Sequence, residues 1–372
     1  MSKAAELANL IGNINAGGGG VGRNLFINGA MNVAQRGTSS TGLGTSAGYY
    51  TTDRWHIALN SNTAGRFTMT QDSSAPSGFA NSTKLACTTA DTSIASGEQV
   101  IFQQKIEGQN LQTLAKGTSD AKPLALSFYV KGNASATYVA GLYEGDNGRY
   151  IASTFNVTTD WTRVEITYPA DTTGTLDDDN ASSLELWIWL HAGSTYTSGS
   201  LQTSWGSSSN STFAGGLSSS FFSSTDNTFF ITGVQLEVGQ NPTEFEHEPF
   251  AQTEIKCFRY TQRLPHRDNT SGSGFANITT MGRNDSSTGN SSSVTLPVVM
   301  RADSTITTSG SFRIHHNATA TDATGLAIDD NIGTSGSVNI FTTVASGLTQ
   351  GHGGQLQQKD DVDAHVICSA EL

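Results

Sequence analysis

The side chains best suited to chemistry in this chain fall on one short run, SLELWIWLH at residues 183–191. As a strand it alternates, so Leu184, Leu186, Ile188 and Leu190 share one face while Glu185, Trp187, Trp189 and His191 share the other. The first face reads as core. The second sets two indoles among ionisable groups, the mixture that sugar rings favour: flat apolar surfaces to stack on and polar groups for hydroxyls. A plainer reading has this face covered by the stretch 194–224 or by a neighbouring subunit, because two exposed tryptophans make a sticky patch. Trp205, inside that polar stretch, is either an exposed contact or a loop plug.

Other chemistry-like strings are weaker. Gly44-Thr45-Ser46-Ala47-Gly48 matches a nucleophile elbow, and His352 follows later. An elbow needs a buried strand before it and a helix after it, whereas Ser46 lies in a Gly/Thr/Ser loop. Gly17, Gly19 and Gly22 spell a dinucleotide-binding pattern but follow a helix where a strand is required, so they read as a hinge. The carboxylates Asp177-Asp178-Asp179, Asp329-Asp330, and Asp360-Asp361 with Asp363 could contribute oxygens to a structural calcium. Solvated acidic turns are the favoured reading, since consecutive Asp side chains diverge and repel. Glu144 and Asp146 read as turn residues. No carboxylate pair for glycoside hydrolysis stands out, and no cofactor or catalytic residue is expected.

Composition narrows the function classes. With 20 basic and 32 acidic residues the net charge is −12, which argues against nucleic acid or an anionic membrane as partner. Charged residues make up 14% and glycines number 40, a profile of all-β extracellular scaffolds rather than helical enzymes. Cys87, Cys257 and Cys368 are odd in number and widely spaced, so neither a disulfide framework nor a zinc site is expected. No run approaches the ~18 apolar residues of a membrane span, and residues 1–15 lack the apolar segment of a secretory signal. The expectation is a soluble chain without membrane insertion.

The elements that must position these residues are short strands. Candidates are residues 54–59, 66–70, 83–88, 99–106, 124–131, 137–143, 150–157, 162–168, 183–191 and 229–238, with one or two helical turns at 110–116. Ten strands with local turns suit a two-sheet sandwich. The hairpin at 137–157 is the clearest, because Glu144-Gly145-Asp146-Asn147-Gly148 tolerates positive φ. Residues 194–224 read as an extended loop too polar for the core. Ahead of the strands, Leu7, Leu10, Ile11 and Ile14 fall on one helical face that Ser2 can cap. A helix this short needs a partner, either copies of itself, another protein or its own first domain.

Residues 229–264, FFITGVQLEVGQNPTEFEHEPF followed by AQTEIKCFRYTQRL, form a seam: a buried strand, then an acidic segment broken by Pro242 and Pro249 that reads as a stiff elbow, then helix and strand. Beyond it, 276–282, 293–300, 305–309, 312–315, 337–343 and 364–370 read as a second, smaller set of strands.

This seam, with NLFINGAMNVAQRG at residues 24–37 and TTDRWHI at 51–57, resembles tailed-bacteriophage fibre and virion proteins, in which a lectin-like jelly roll hands over to a second β-domain. The likeness covers residues 24–264 well and the remainder loosely. It implies an all-β chain: residues 1–23 an N-terminal helix and Gly-rich hinge for attachment or oligomerisation, 24–247 a large jelly roll like a carbohydrate-binding module, 248–264 a linker and helix, and 265–372 a smaller β-sandwich. It also implies a virion structural protein, a homotrimer bound to other virion proteins, which attaches to bacterial surface glycan as a tail-fibre component without turnover. A head fibre or capsid decoration protein, a capsule depolymerase, and a bacterial carbohydrate-binding module or adhesin are the alternatives.

Overall fold

Short β-prone runs punctuated by Gly, Ser, Asn and Asp become twenty-two strands in the computed structural model, which describes residues 2–13, 22–62, 64–266, 275–328 and 336–372. The chain divides into two units, residues 1–250 with Leu372 and residues 251–371. In the first, helix α1 (Lys3–Asn13) precedes β1 (Ser39–Leu43), β2 (Gly48–Tyr49), β3 (His56–Asn60), β4 (Arg66–Asp72), β5 (Ser82–Thr89), β6 (Gln99–Glu107), β7 (Leu124–Gly132), β8 (Ala136–Glu144), β9 (Arg149–Val157), β10 (Thr162–Tyr168), β11 (Ser182–Ala192), a short helix α2 (Ser194–Thr197), β12 (Gly206–Ser207) and β13 (Thr228–Val238). Two 3₁₀ turns, Gly108–Asn110 and Gln112–Leu114, occupy the region expected to be helical.

These strands make an antiparallel sandwich. One sheet runs β1-β4-β5-β13-β7-β10 and the other β12-β9-β8-β11-β6-β3-β2. Alternation puts Phe67, Leu85, Leu126, Phe128, Phe229 and Ile231 of the first sheet against Phe102, Leu142, Phe155, Leu184, Leu186 and Ile188 of the second, all essentially inaccessible to solvent. Each such side chain contributes about 1.5–3 kcal/mol by leaving water, which is ample reason for these sheets to face each other. The all-β class read from the sequence is what the chain adopts.

The segments that carried the phage-fibre likeness meet in space. Asn24 Nδ2 donates to Val234 O (2.9 Å), and its Oδ1 accepts from Leu236 N (3.1 Å), so one amide bridges residues 24–37 to β13. Gly29 runs so close that a Cβ there would sit 2.1 Å from Val234 O. Asn28 then acts as a hub: Nδ2 donates to Val33 O (2.9 Å) and Asp53 O (3.0 Å), and Oδ1 accepts from Asn32 N (2.9 Å) and Val33 N (3.0 Å). Asn28 itself takes φ 58°, a left-handed conformation that Asn tolerates. Asp53 receives Gln35 N and Gln35 Nε2, and Trp55 Nε1 donates to Asn28 O (3.1 Å).

The seam after β13 is fastened to its own unit instead of standing free as an elbow. Buried Glu237 accepts from Thr243 N (2.7 Å) and Gln235 Nε2 (3.0 Å), while Glu246 accepts from Gly22 N (2.6 Å) and Asn24 N (3.0 Å).

In the second unit, helix α3 (Phe250–Phe258) leads into β14 (Thr261–Leu264), the helix-then-strand order expected of the sequence. Then come β15 (Gly282–Asn284), β16 (Gly289–Thr295), β17 (Thr305–Ser309), β18 (Phe312–His316), β19 (Thr319–Ile328), β20 (Ser337–Val344), β21 (Gly353–Gln358) and β22 (His365–Ser369). In place of the expected smaller β-sandwich, β15-β16-β20-β19-β18-β21 close into a barrel, and β14-β22-β17 form a separate three-stranded sheet. Closure removes the edges that a six-stranded sheet would otherwise leave unpaired.

Candidate glycan-facing surface

Strand β11 positions the candidate residues, and its two halves behave differently. From Leu184 to Trp189 it pairs in register with β6 and β8, so Trp187 lies opposite Gln103 and Gly141 while Glu185 lies opposite Lys105 and Tyr143. Between Trp189 and His191 the register with β6 slips by one residue, Trp189 facing Ile101 and His191 facing Val100. This bulge ends the alternation. His191 therefore joins the core side, where its ring packs on Phe222 at 5.1 Å, and it is wholly buried. The sequence reading that grouped His191 with the tryptophans is corrected on this ground.

Trp189 stays on the outer face but is also fully buried. The stretch 194–224, expected to be too polar for a core, folds over it. Tyr196 of α2 lies 5.3 Å from the Trp189 ring, Phe213 lies 6.0 Å away, and Tyr150 donates to Phe213 O at 2.8 Å. Gly141 makes room, since a Cβ there would fall 2.1 Å from the Tyr150 hydroxyl. Trp205 is a partly buried plug packed on the main core, with Nε1 donating to Pro169 O (2.8 Å) and the Lys116 ammonium 5.9 Å from its ring. Trp189, His191 and Trp205 thus have internal partners, and a ligand on this face would meet Trp187 and Glu185 first.

Trp187 remains half-buried, stacked on half-buried Tyr143 at 4.5 Å and 14°. Its Nε1 donates to Glu185 Oε2 (2.7 Å), and Ser182 Oγ donates to Glu185 Oε1 (3.1 Å). Lys105 Nζ lies 4.0 Å from the same carboxylate. Further along the sheet Gln103 Nε2 meets His56 Nδ1 at 3.0 Å, and His56 packs on Tyr49 at 4.7 Å. Burial raises the Tyr143 phenol above its ordinary 10, and Glu185 and Glu144 add to that, so it stays protonated at neutral pH. The arrangement offers an aromatic edge beside a carboxylate, an ammonium and a phenol, all able to bind hydroxyls. Tyr143 and Lys105 were missed from the sequence. They are cross-strand neighbours of Glu185, and only the register reveals that.

Glu144 closes the turn, its Oε1 accepting from Asn147 N (2.8 Å), and it is also a buried acid. Lys116 Nζ donates to Glu144 Oε2 (3.1 Å), Thr173 O (2.9 Å) and Gly174 O (2.9 Å) and lies 3.2 Å from Asp171, which Arg149 grips through Nε (2.6 Å) and Nη2 (2.8 Å). Burial pushes the Asp171 pKa up, but hydrogen bonds from Arg149 and Lys116 outweigh it and hold the carboxyl below its ordinary value.

The other candidates disperse. Asp146 Oδ2 accepts from Asp177 N across 31 residues, tying the β8–β9 turn to the loop before β11, while Asp361 Oδ1 accepts from Asp363 N within its own turn. Asp329 and Asp330 lie outside the described residues, and among those described no group of three or more His, Cys, Asp or Glu side chains could hold a metal ion. Ser46 is exposed between β1 and β2. On α1 the Ser2 cap forms, with Ala5 N donating to its Oγ (3.3 Å), and Leu7 and Ile11 are 57% and 49% exposed. The Leu10 side chain, Ile14, Gly17 and Gly19 lie outside what is described. No helix among the described residues is long and apolar enough to cross a membrane.

No protein-family model and no curated protein matches this chain. Among solved structures, a family 4 carbohydrate-binding module is similar at 14% identity and TM-score 0.29, over 57% of this chain and 97% of that one. A family 61 module solved with β-1,4-galactotriose gives 10% identity and TM-score 0.30, over 58% and 99%. The enzymatically active domain of bacteriophage CBA120 tailspike protein 4 gives 13% identity and TM-score 0.27, over 50% and 19%. At such low scores the fold assignment rests on the sheet topology itself.

Proposed function

We propose that this chain is a tailed-phage virion protein, a tail-fibre component that attaches to the host surface by binding glycan through the outer face of its jelly roll. The observation that carries the reading is the Trp187–Tyr143 stack, half open to solvent and ringed by Glu185 and Lys105. The virion role rests on the likeness of residues 24–37, 51–57 and 229–264 to phage fibre proteins. A homotrimer fits the exposed Leu7 and Ile11 of α1, an apolar stripe that gains by associating with copies of itself or with another virion protein. The role is binding without turnover.

Host-cell binding by purified protein tests the reading, with Trp187→Ala and Tyr143→Ala as the variants. Both should remain folded and lose most of their cell binding; full binding by both would remove this face as the receptor site. Mass measurement in solution tests the trimer, and a monomer would overturn it.

A further inference from the structure

Two cavities adjoin at one end of the jelly roll, where the β7–β8 turn (133–135), the end of β9 and the return loop (218–227) come together. One measures about 340 Å³ and the other about 330 Å³, and Ser135, Ala136, Val157 and Ser219 line both. No charged residue lines either cavity. Their walls are hydroxyls and amides, interrupted by a small apolar patch of Ala136, Val157 and the Tyr138 ring.

We propose that this groove is a second saccharide site and that its ligand is a neutral oligosaccharide; the inference rests on the glycan-binding reading above and locates it on a different surface. A sugar hydroxyl both donates and accepts, so it is best met by groups that do the same. Among the described residues the Ser135 and Ser218 hydroxyls are exposed and uncommitted, and Asn156 keeps its amide Nδ2 free while Oδ1 accepts from Thr137 Oγ1 (2.9 Å). The apolar patch suits the C–H face of a pyranose. An acidic sugar would bring a charge into walls that supply no cation, on a chain of net charge −12.

The walls are fixed in advance, which lowers the ordering cost of binding. Ser219 Oγ accepts from Thr137 N (3.0 Å), tying the return loop to β8, and Asn133 Oδ1 accepts from Thr228 N (2.9 Å), tying the β7–β8 turn to the start of β13. Behind them Ser220 Oγ contacts His191 Nδ1 (2.8 Å), whose Nε2 meets Glu98 Oε2 (3.2 Å). This Ser–His–Glu chain has the composition of a nucleophile relay, but Ser220 Oγ also accepts from Phe222 N (3.2 Å) as the cap of a 3₁₀ turn. Its role here is to anchor the loop.

Calorimetric titration of the full chain with neutral oligosaccharides, built from glucose, galactose or mannose, and with uronic-acid oligosaccharides tests the inference. Ser135→Trp and Ser218→Trp fill the groove from exposed positions, and the isosteric Asn156→Asp converts its free donor to a charge. The expected result is binding of a neutral sugar that each Trp variant weakens about tenfold or more, with thermal melting unchanged and with Trp187→Ala having a smaller effect. Full affinity in both Trp variants, lost instead in Trp187→Ala, would overturn the groove and leave the glycan reading standing. Binding of acidic sugars alone would overturn the ligand class. Absence of binding to any sugar in the wild type would overturn both the groove and the reading on which it rests.

Discussion

Trp55 and Trp187 belong to the same jelly roll but occupy opposite settings. Trp55 is wholly buried, its ring parallel to Phe102 at 4.8 Å and its Nε1 bonded to Asn28 O, inside a hub whose polar atoms are bonded to one another. Trp187 is only half-buried: Tyr143 stacks on it, Phe213 and Trp189 meet it edge-on, Glu185 accepts from its nitrogen, and the rest of the ring is open to solvent. The difference separates scaffold from function. The segments most recognisable in the sequence, residues 24–37 and 51–57, are the scaffold, because an Asn that closes four backbone bonds in a left-handed conformation tolerates few replacements. The surface that would meet a ligand sits on β11, where the alternation of SLELWIWLH marks it but its cross-strand partners do not show in the sequence.

The largest effect should come from the hub. Asn28→Ala removes four hydrogen bonds at once, leaving the Asp53 carbonyl and the Asn32 and Val33 amides without their partner, and puts Ala at a positive φ; it should lower unfolding stability by about 4 kcal/mol. Urea unfolding measures this, and a loss below about 1 kcal/mol would erase the scaffold side of the comparison. Next is Lys116→Met, which strips the ammonium from Glu144 and Asp171 while keeping the volume. Arg149 still holds Asp171, so the cost falls chiefly on Glu144, a buried carboxylate without its cation, and should be about 3 kcal/mol at neutral pH. Against burial, Lys116 helps Arg149 hold the Asp171 carboxyl below its ordinary value, a contribution lost as the pH falls through the carboxylate range, so the deficit should shrink in acid; a deficit independent of pH would mean that packing, not charge, is the cause.

A smaller effect concerns His191. Burial holds its pKa below the ordinary 6.5, against the pull of Glu98 and Asp91 towards a higher value. The folded state thus prefers the neutral ring, and the unfolded chain takes up the proton first as the pH falls. His191 contributes fully above about 6.5 and loses that contribution as the pH drops towards its folded value. Urea midpoints should fall between pH 7.5 and 5.5, and His191→Gln should flatten that slope; an unchanged slope would place the acid sensitivity elsewhere.

How much of this was legible in the sequence follows the physics of each element. Strands with local turns, such as the hairpin β8–β9, could be read because both their pattern and their turn residues are local. The all-β class followed from many such strands. The bulge at Trp189–His191 could not be read, since a slipped register depends on the partner strand and not on β11. Nor could the cover over Trp189: the stretch 194–224 is mostly Ser and Gly, and Tyr196, Phe213, Phe221 and Phe222 are too sparse to show a period although all four are buried. The bond from Asn147 to Glu144 could be read as part of the turn, but its ion pair could not, because Lys116 is distant in sequence. Register, loop cover and long-range ion pairs are set by tertiary contacts that no local pattern encodes.

The smallest effect on stability should belong to Trp187, and that is what makes it the most informative of the four. Trp187→Ala gives up a ring already half in water together with one hydrogen bond to Glu185, a loss of about 1–2 kcal/mol that leaves β11 and the cover over Trp189 in place. Against that mild cost, cell binding should fall steeply, because the indole edge, stacked on Tyr143, is a half-open apolar surface that a sugar ring can meet. Trp189→Ala is the matched control. It should cost about 3–4 kcal/mol by opening a cavity under Tyr196 and Phe213, and any binding it loses should return under conditions that restore the fold. If instead Trp187→Ala unfolds the unit as readily as Trp189→Ala, then Trp187 belongs with Trp55 on the scaffold side, and the outer face of the sheet is structural from end to end.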